Sequence, residues 1–327
     1  MKRSQRGMAL ITVLLVVSIV TVVCAGLVAR QQLSIRQSAN QIALRQAWHY
    51  ALGGEALGQA VLLRDLKEAG TDPRTPVDHP MEPWARPLPA FPIEQGEIGV
   101  QIDDLAGRFN LNSLVREGKV DRLAVERFKR LLSSLRIDEP YADRLVDWLD
   151  EDQQINGEYG AEDQQYLLAQ PPYRSAGRNL QDVSELRLLL GMSEAHYRAL
   201  QPYVAAIPPW APLNVNTASA LVLSCLADNL EPATAQALVN ARGKDGYKDI
   251  RSFLDQPAMA GTGVRASGLS VGSGFFQVRS EVRLADRRLV LLSTLARDAK
   301  GEIRVLKRDL GQPGWAESVS AAAQELE

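Results

Sequence analysis

The sequence predicts an α+β fold. A long N-terminal helix packs on a small antiparallel sheet, and a large all-α domain is inserted between the strands. Three observations carry this prediction. Residues 8–29 hold no charge, and the chain then runs to position 70 without a proline. Apolar residues recur at helical spacing through most of 113–254. Period-two alternation shows around 98–102 and returns only from Phe275, so strands flank the helical stretch.

The first element begins with a basic leader. Lys2, Arg3 and Arg6 all precede Gly7, and beyond them acidic residues outnumber basic ones. The net charge of -2 argues against nucleic acid as a partner. At about 1.5 Å per residue, 8–29 spans the roughly 30 Å hydrocarbon core of a bilayer. Basic residues ahead of it predict a cytoplasmic N-terminus. Thr12, Ser18 and Thr21 are its polar side chains, and each can bond back to its own helix. A secretory signal has a shorter core and a small-x-small site, which "CAGLVAR" imitates poorly. Segment 30–70 then sets Leu33, Ile42, Ala43, Ala47, Tyr50, Leu57, Val61 and Leu66 at helical spacing. The membrane helix is expected to continue as an amphipathic one, about 80–90 Å in all. Gly53-Gly54 is its expected bend. Cys24 and Cys225 are too far apart in the chain to suggest a bridge.

Seven prolines in 71–92 exclude a helix or a central strand there. "GEIGVQIDDLAGRFNLN" suggests a strand at 98–102, a turn at Gly107 and an extended piece at 109–111. Segment 71–112 is thus a proline-rich crossing with the first strands. In 113–270 the pattern is helical. Asp121 is a cap candidate, followed by Leu123, Val125, Phe128, Leu131, Leu132 and Leu135 for a core face. "EPYADRLVDWLDED" offers Tyr141, Leu145, Trp148 and Leu149. Two short helices are expected around Gly191. In 271–310 the alternation reads as strands near 275–284, 287–297 and 302–310. The tail 311–327 lacks a core pattern and is expected to be mobile.

One cluster could carry chemistry. Seven carboxylates lie between Asp147 and Asp163, with Gly157 and Gly160 allowing tight turns. Calcium takes six to eight oxygens from such flexible loops. Asp147, Asp150 and Asp152 open the run, and Glu158, Glu162 and Asp163 return across the glycines. It is not an EF-hand: counted from Asp150, the glycine position is Ile155 and the twelfth residue is Ala161. Calcium binding and a solvated acidic loop both fit this pattern. Catalysis finds no support. His49 lies on the long helix, His79 lies in the proline segment and His196 has no nearby nucleophile, and Gly261, Gly263 and Gly268 lack a strand-loop-helix setting. "LNVNTASALVLSCL" opens like a helix-hairpin-helix element. Its hairpin lacks glycine and carries Asp228 and Glu231 where a phosphate would sit.

"RG-MALITVLLVV" followed by one long helix resembles the N-terminus of type IV pilins and type II secretion pseudopilins. "DLAGRFNLNSL" after the first strand, with a large helical insertion, resembles their minor pseudopilin K subclass (the GspK/XcpX family). Asp104, Gly107, Asn110 and Asn112 match that pattern. The resemblance implies a pilin-like helix on a sheet, with an insert resembling sterile-alpha-motif or helix-hairpin-helix bundles. It implies that prepilin peptidase removes the leader 1–7 after Gly7, leaving Met8 as the N-terminus. The family's fifth mature residue is usually glutamate, and here it is Thr12. That departure implies a place at the filament tip, since the family's glutamate is thought to pair with a neighbour's N-terminal amine. Minor pseudopilins I and J, and through them the major pseudopilin, are the implied partners. Exoprotein cargo, the inner membrane and a periplasmic bulk are implied as well. The resemblance also favours structural calcium at the acidic loop. The alternative is a single-pass inner-membrane protein with a periplasmic protein-binding domain outside any filament.

Overall fold

The computed structural model describes residues 5–68, 75–298 and 300–311, with side chains from Leu10 onward. Most of the leader, positions 69–74 and the tail 312–327 therefore lie outside the described residues. Helix α1 (Gln5–Glu68) is 64 residues long, about 96 Å at 1.5 Å per residue. It runs unbroken through Gly53-Gly54, where the sequence suggests a bend. The large apolar side chains from Leu10 to Val28 are each more than half exposed. Length and composition make this the one helix among the described residues able to cross a membrane.

Packing on α1 starts at Ala43, which is partly buried, and the first fully buried residue is Ala47. Leu33 and Ile42, which the periodicity assigns to a core face, are exposed. The buried seam is built from small residues instead. Ala47 and Ala51 lie against Val282, Leu284 and Leu291. Leu62 lies against Trp84, Phe276, Val278 and Leu295. Between them Gly54 approaches the sheet so closely that a Cβ would stand 2.0 Å from the Ser280 hydroxyl. At Gly58 a Cβ would stand 2.8 Å from the Val278 methyls. Backbone-to-sheet contact of this kind admits only glycine.

The sheet is an antiparallel meander in sequence order. Its strands are β1 (Phe91–Ile93), β2 (Gly96–Asp104), β3 (Phe275–Leu284), β4 (Arg287–Arg297) and β5 (Ile303–Gly311). Strand β1 falls inside the proline-rich crossing, where the sequence marks no strand. Pro92 is tolerated because β1 is an edge. The β2–β3 register runs from Gly96↔Leu284 to Asp104↔Phe276. Residues 105–274 therefore leave and rejoin the sheet at one end. That end faces Leu62, the side away from the membrane segment.

This excursion holds two main cores, and a smaller cluster of Leu105, Ala205, Ile207 and Ala211 packs on Phe275 where it rejoins the sheet. The first gathers Phe128, Tyr141, Leu145, Trp148, Tyr166 and Leu200. They come from α2 (Arg122–Ser134), α3 (Tyr141–Leu149), α4 (Asp163–Tyr166) and α5 (Glu194–Leu200). Asp121 caps α2 by accepting from Ala124 N at 3.1 Å. Leu123 is turned outward and Ala124 is buried in its place. The first helix expected near Gly191 is a 3-10 segment, Val183–Leu188. The second core centres on Val215, Leu223, Leu238 and Phe253, with α6 (Ala220–Ser224), α7 (Pro232–Ala241) and α8 (Ile250–Leu254).

A buried polar junction fixes the insert to the sheet. The Arg297 guanidinium donates to Asp78 at 2.5 Å, and Ser273 N donates to the same carboxylate at 2.7 Å. Asp104 at the end of β2 accepts from Asn214, Thr217 and Ser273. Each partner lies on a different stretch of chain, so the junction orients the insert rather than merely attaching it.

Candidate functional site

The acidic loop grows from the end of α3. Tyr141, Leu145, Trp148 and Leu149 bury the apolar face of that helix. This leaves Asp147 in its last turn, fully buried, and Asp150 as its C-cap. The chain then doubles back through Gly157, whose φ is +70°. At Gly160 a Cβ would stand 2.2 Å from Asp147 Oδ2 and 2.6 Å from the Asn156 carbonyl. Glycine is therefore required where the loop closes over the aspartate. The returning segment ends at Glu162, buried at the N-cap of α4.

The structure brings Asp150, Asp152 and Glu162 together, each with one oxygen within 4.8 Å of the others. Asp147 stands beside them and accepts from Asn156 N at 2.9 Å, while the Asn156 amide donates to Asp150 at 3.0 Å. Glu158 is exposed and outside this group. Asp163 faces another way, accepting from Ser175 N at 3.0 Å and pairing with Arg174.

Among the described residues three carboxylate oxygens are buried with no hydrogen-bond partner: Asp147 Oδ2, Asp150 Oδ1 and Glu162 Oε1. Among the described residues no lysine or arginine forms a salt bridge with Asp147, Asp150, Asp152 or Glu162. Burial, then Asp152 and Asp147, pushes the Asp150 carboxyl up to about 6. Burial, then Asp147 and Asp150, pushes Glu162 up to about 7. Asp147 is raised as well, chiefly by burial. Unpaired buried anions at this density are costly unless a cation joins them. An all-oxygen donor set of carboxylates suits a hard divalent ion. Sequence reasoning missed Asn156 and Ser175, whose contacts hold the carboxylates in place. Gly160 was the signal available.

Gly7 and Met8, where processing is expected from the resemblance, fall within α1. Thr12 lies on its exposed, apolar stretch. Nearby, Thr21 donates to the Val17 carbonyl at 2.8 Å, a helical threonine bonding back to its own helix. His196 is bonded to the Tyr141 hydroxyl at 2.9 Å, and His49 is exposed on α1.

A membrane-length helix laid on a meander sheet, with one connection expanded into a two-core helical head, defines a pilin-like subunit. Residues 107–209 and 213–272 match two models of one family, described as type II secretion system (T2SS), protein K. The chain is 54% identical to type II secretion system protein K of Pseudomonas aeruginosa, across 96% of this chain and 95% of that protein. It is 34% identical to the Klebsiella pneumoniae protein of the same description, across 92% and 95%. Its fold matches a chain of the crystal structure of the GspK-GspI-GspJ complex from enterotoxigenic Escherichia coli. The TM-score is 0.75 at 30% identity, covering 84% of this chain and 99% of that one. The chain belongs to the type II secretion system protein K family.

Proposed function

We propose that the protein is the minor pseudopilin at the tip of a type II secretion pseudopilus. There it joins minor pseudopilins I and J to initiate or cap assembly and to support export of folded exoproteins. The observation that carries this is the fold likeness to a chain of a solved complex of K, I and J pseudopilins. Prepilin peptidase trims the chain after Gly7. The apolar part of α1 anchors it in the inner membrane with a cytoplasmic N-terminus, and the bulk projects into the periplasm.

Two features of the molecule support the tip. A charge within a bundle of apolar helices is expensive unless paired. Thr12 brings no carboxylate to pair with an older subunit's amine, while the freed Met8 amine remains available to a newer subunit's glutamate. The insert stands at the sheet end away from the membrane segment, where it would obstruct a subunit stacked above.

Asp147, Asp150, Asp152 and Glu162 would hold a structural calcium ion. When bound, the ion supplies the positive charge that these carboxylates lack. The residues themselves fix the end of α3 against α4 and close the acidic loop. N-terminal mass analysis of the protein from cells with active peptidase tests the reading. A mature chain starting at Met8 is expected. An intact leader would favour a plain membrane anchor outside any filament.

A further inference from the structure

The two halves of the insert meet at a seam lined with arginines. Arg108, Arg116 and Arg127 line a cavity of about 80 Å³ between α2 and the end of α6. By the same measure one water needs only about 10–15 Å³, so a multi-atom group fits. Among the described residues Asp121 is the only carboxylate lining it, and it is already engaged. It caps α2 and stands 3.4 Å from Arg116 Nε.

Arg127 is left without a hydrogen bond or ion pair among the described residues. Its Nε, and that of Arg116, are buried with no hydrogen-bond partner. A guanidinium cannot shed its charge to relieve this, and its planar fork suits a carboxylate or phosphate. Burial weakens the hold of Arg127 on its proton, ahead of any help from Asp121. The seam therefore lacks an anion.

The cavity does not end there. It adjoins a groove of about 660 Å³ that shares Leu123, Arg127, Leu226 and Ser267. Arg130 and Arg265 line this groove, with Asp228 as its carboxylate, paired to Arg130. Five arginines thus face two carboxylates. Between them Leu123, 53% exposed, and Val264 add apolar wall. An elongated site with several cations and intervening apolar surface suits an extended chain better than a lone ion.

We propose that this seam is a carboxylate-binding groove that takes an acidic peptide segment of a partner protein. One glutamate or aspartate enters the inner cavity against Arg127 and Arg116, and flanking residues lie along the outer groove by Arg130 and Arg265. Because the walls come from both halves of the insert, the bound segment braces one half against the other.

The test is fluorescence anisotropy with the full chain in detergent. The probe is a labelled peptide alternating glutamate and leucine, with a glutamine-for-glutamate version as control. Binding of the acidic probe is expected, weakened by salt and by about tenfold or more in Arg127→Gln. Arg265→Gln, at the exposed rim, should weaken it less while leaving thermal unfolding unchanged. The proposal is overturned if the acidic probe fails to bind, or binds both variants and the parent equally. It is also overturned if inorganic phosphate binds with the same arginine dependence and the peptide does not, which marks a small-oxyanion site. Binding only after removal of residues 312–327, which carry three glutamates, would assign the groove to the chain's own tail and overturn the partner.

Discussion

Glu55 on α1 and Arg308 on β5 are joined by two hydrogen bonds of 2.7 and 2.8 Å, with the carboxylate buried beneath the sheet. The Ser293 hydroxyl donates to the same group at 2.6 Å. The Arg308 guanidinium holds the Glu55 carboxyl below its usual range despite burial. This clamp spans the helix and two strands where the seam is otherwise made of small residues. Glu55→Ala should cost about 2–3 kcal/mol, less than breaking a fully buried pair, because half-exposed Arg308 can rehydrate. Glu55→Gln should cost less. Urea unfolding of the domain that follows the membrane segment measures both, and equal stability of Glu55→Ala and the parent would dismiss the clamp.

The seam also shows what the sequence could and could not convey. The long helix, the three strands after Phe275 and the inserted helices follow from periodicity, and the structure has strands at Phe275–Leu284, Arg287–Arg297 and Ile303–Gly311. Periodicity weights large apolar side chains, so it drew Leu33 and Ile42 into a core face they do not join. It passed over Gly54, Gly58 and Glu55, where close approach and an ion pair do the packing. At the acidic loop, residue types and glycines were legible. The division of labour among carboxylates was not, because it depends on Ser175 and Arg174 arriving from a distant turn to engage Asp163.

Calcium should raise the thermal unfolding temperature of the protein relative to chelator. Asp150→Asn or Glu162→Gln should abolish most of that rise. The same variants should be more stable than the parent in chelator, since each removes one crowded anion. Differential scanning calorimetry with and without calcium separates these effects. Unchanged unfolding of the parent in calcium and chelator would exclude the structural ion.

Asp65 near the end of α1 predicts a pH dependence. Burial, then Glu82 and Asp78, lifts its carboxyl to about 7. Asp104, lifted to about 6 chiefly by burial, acts in the same sense. Unfolded, both groups titrate near 4. Between about pH 4 and 7 the folded state holds protons that the unfolded state has lost, so stability falls as pH rises through that window. With calcium saturating, Asp65→Asn should gain a few degrees in melting temperature at pH 8 and little at pH 4. An equal effect at both would show that Asp65 does not titrate as described.

Thr12→Glu tests whether the missing carboxylate matters. On the proposed function, a carboxylate there would let the subunit pair with an older neighbour's amine and enter below the tip. Secretion should fall, and the variant should crosslink to the major pseudopilin along the filament. Wild-type secretion with unchanged crosslinking would reduce Thr12 to a neutral residue of the anchor.

The most direct measurement is mass determination, by light scattering, of the mature protein mixed with minor pseudopilins I and J. A single complex holding one copy of each is predicted. Separate species at concentrations well above those of stable assemblies would contradict the tip assignment.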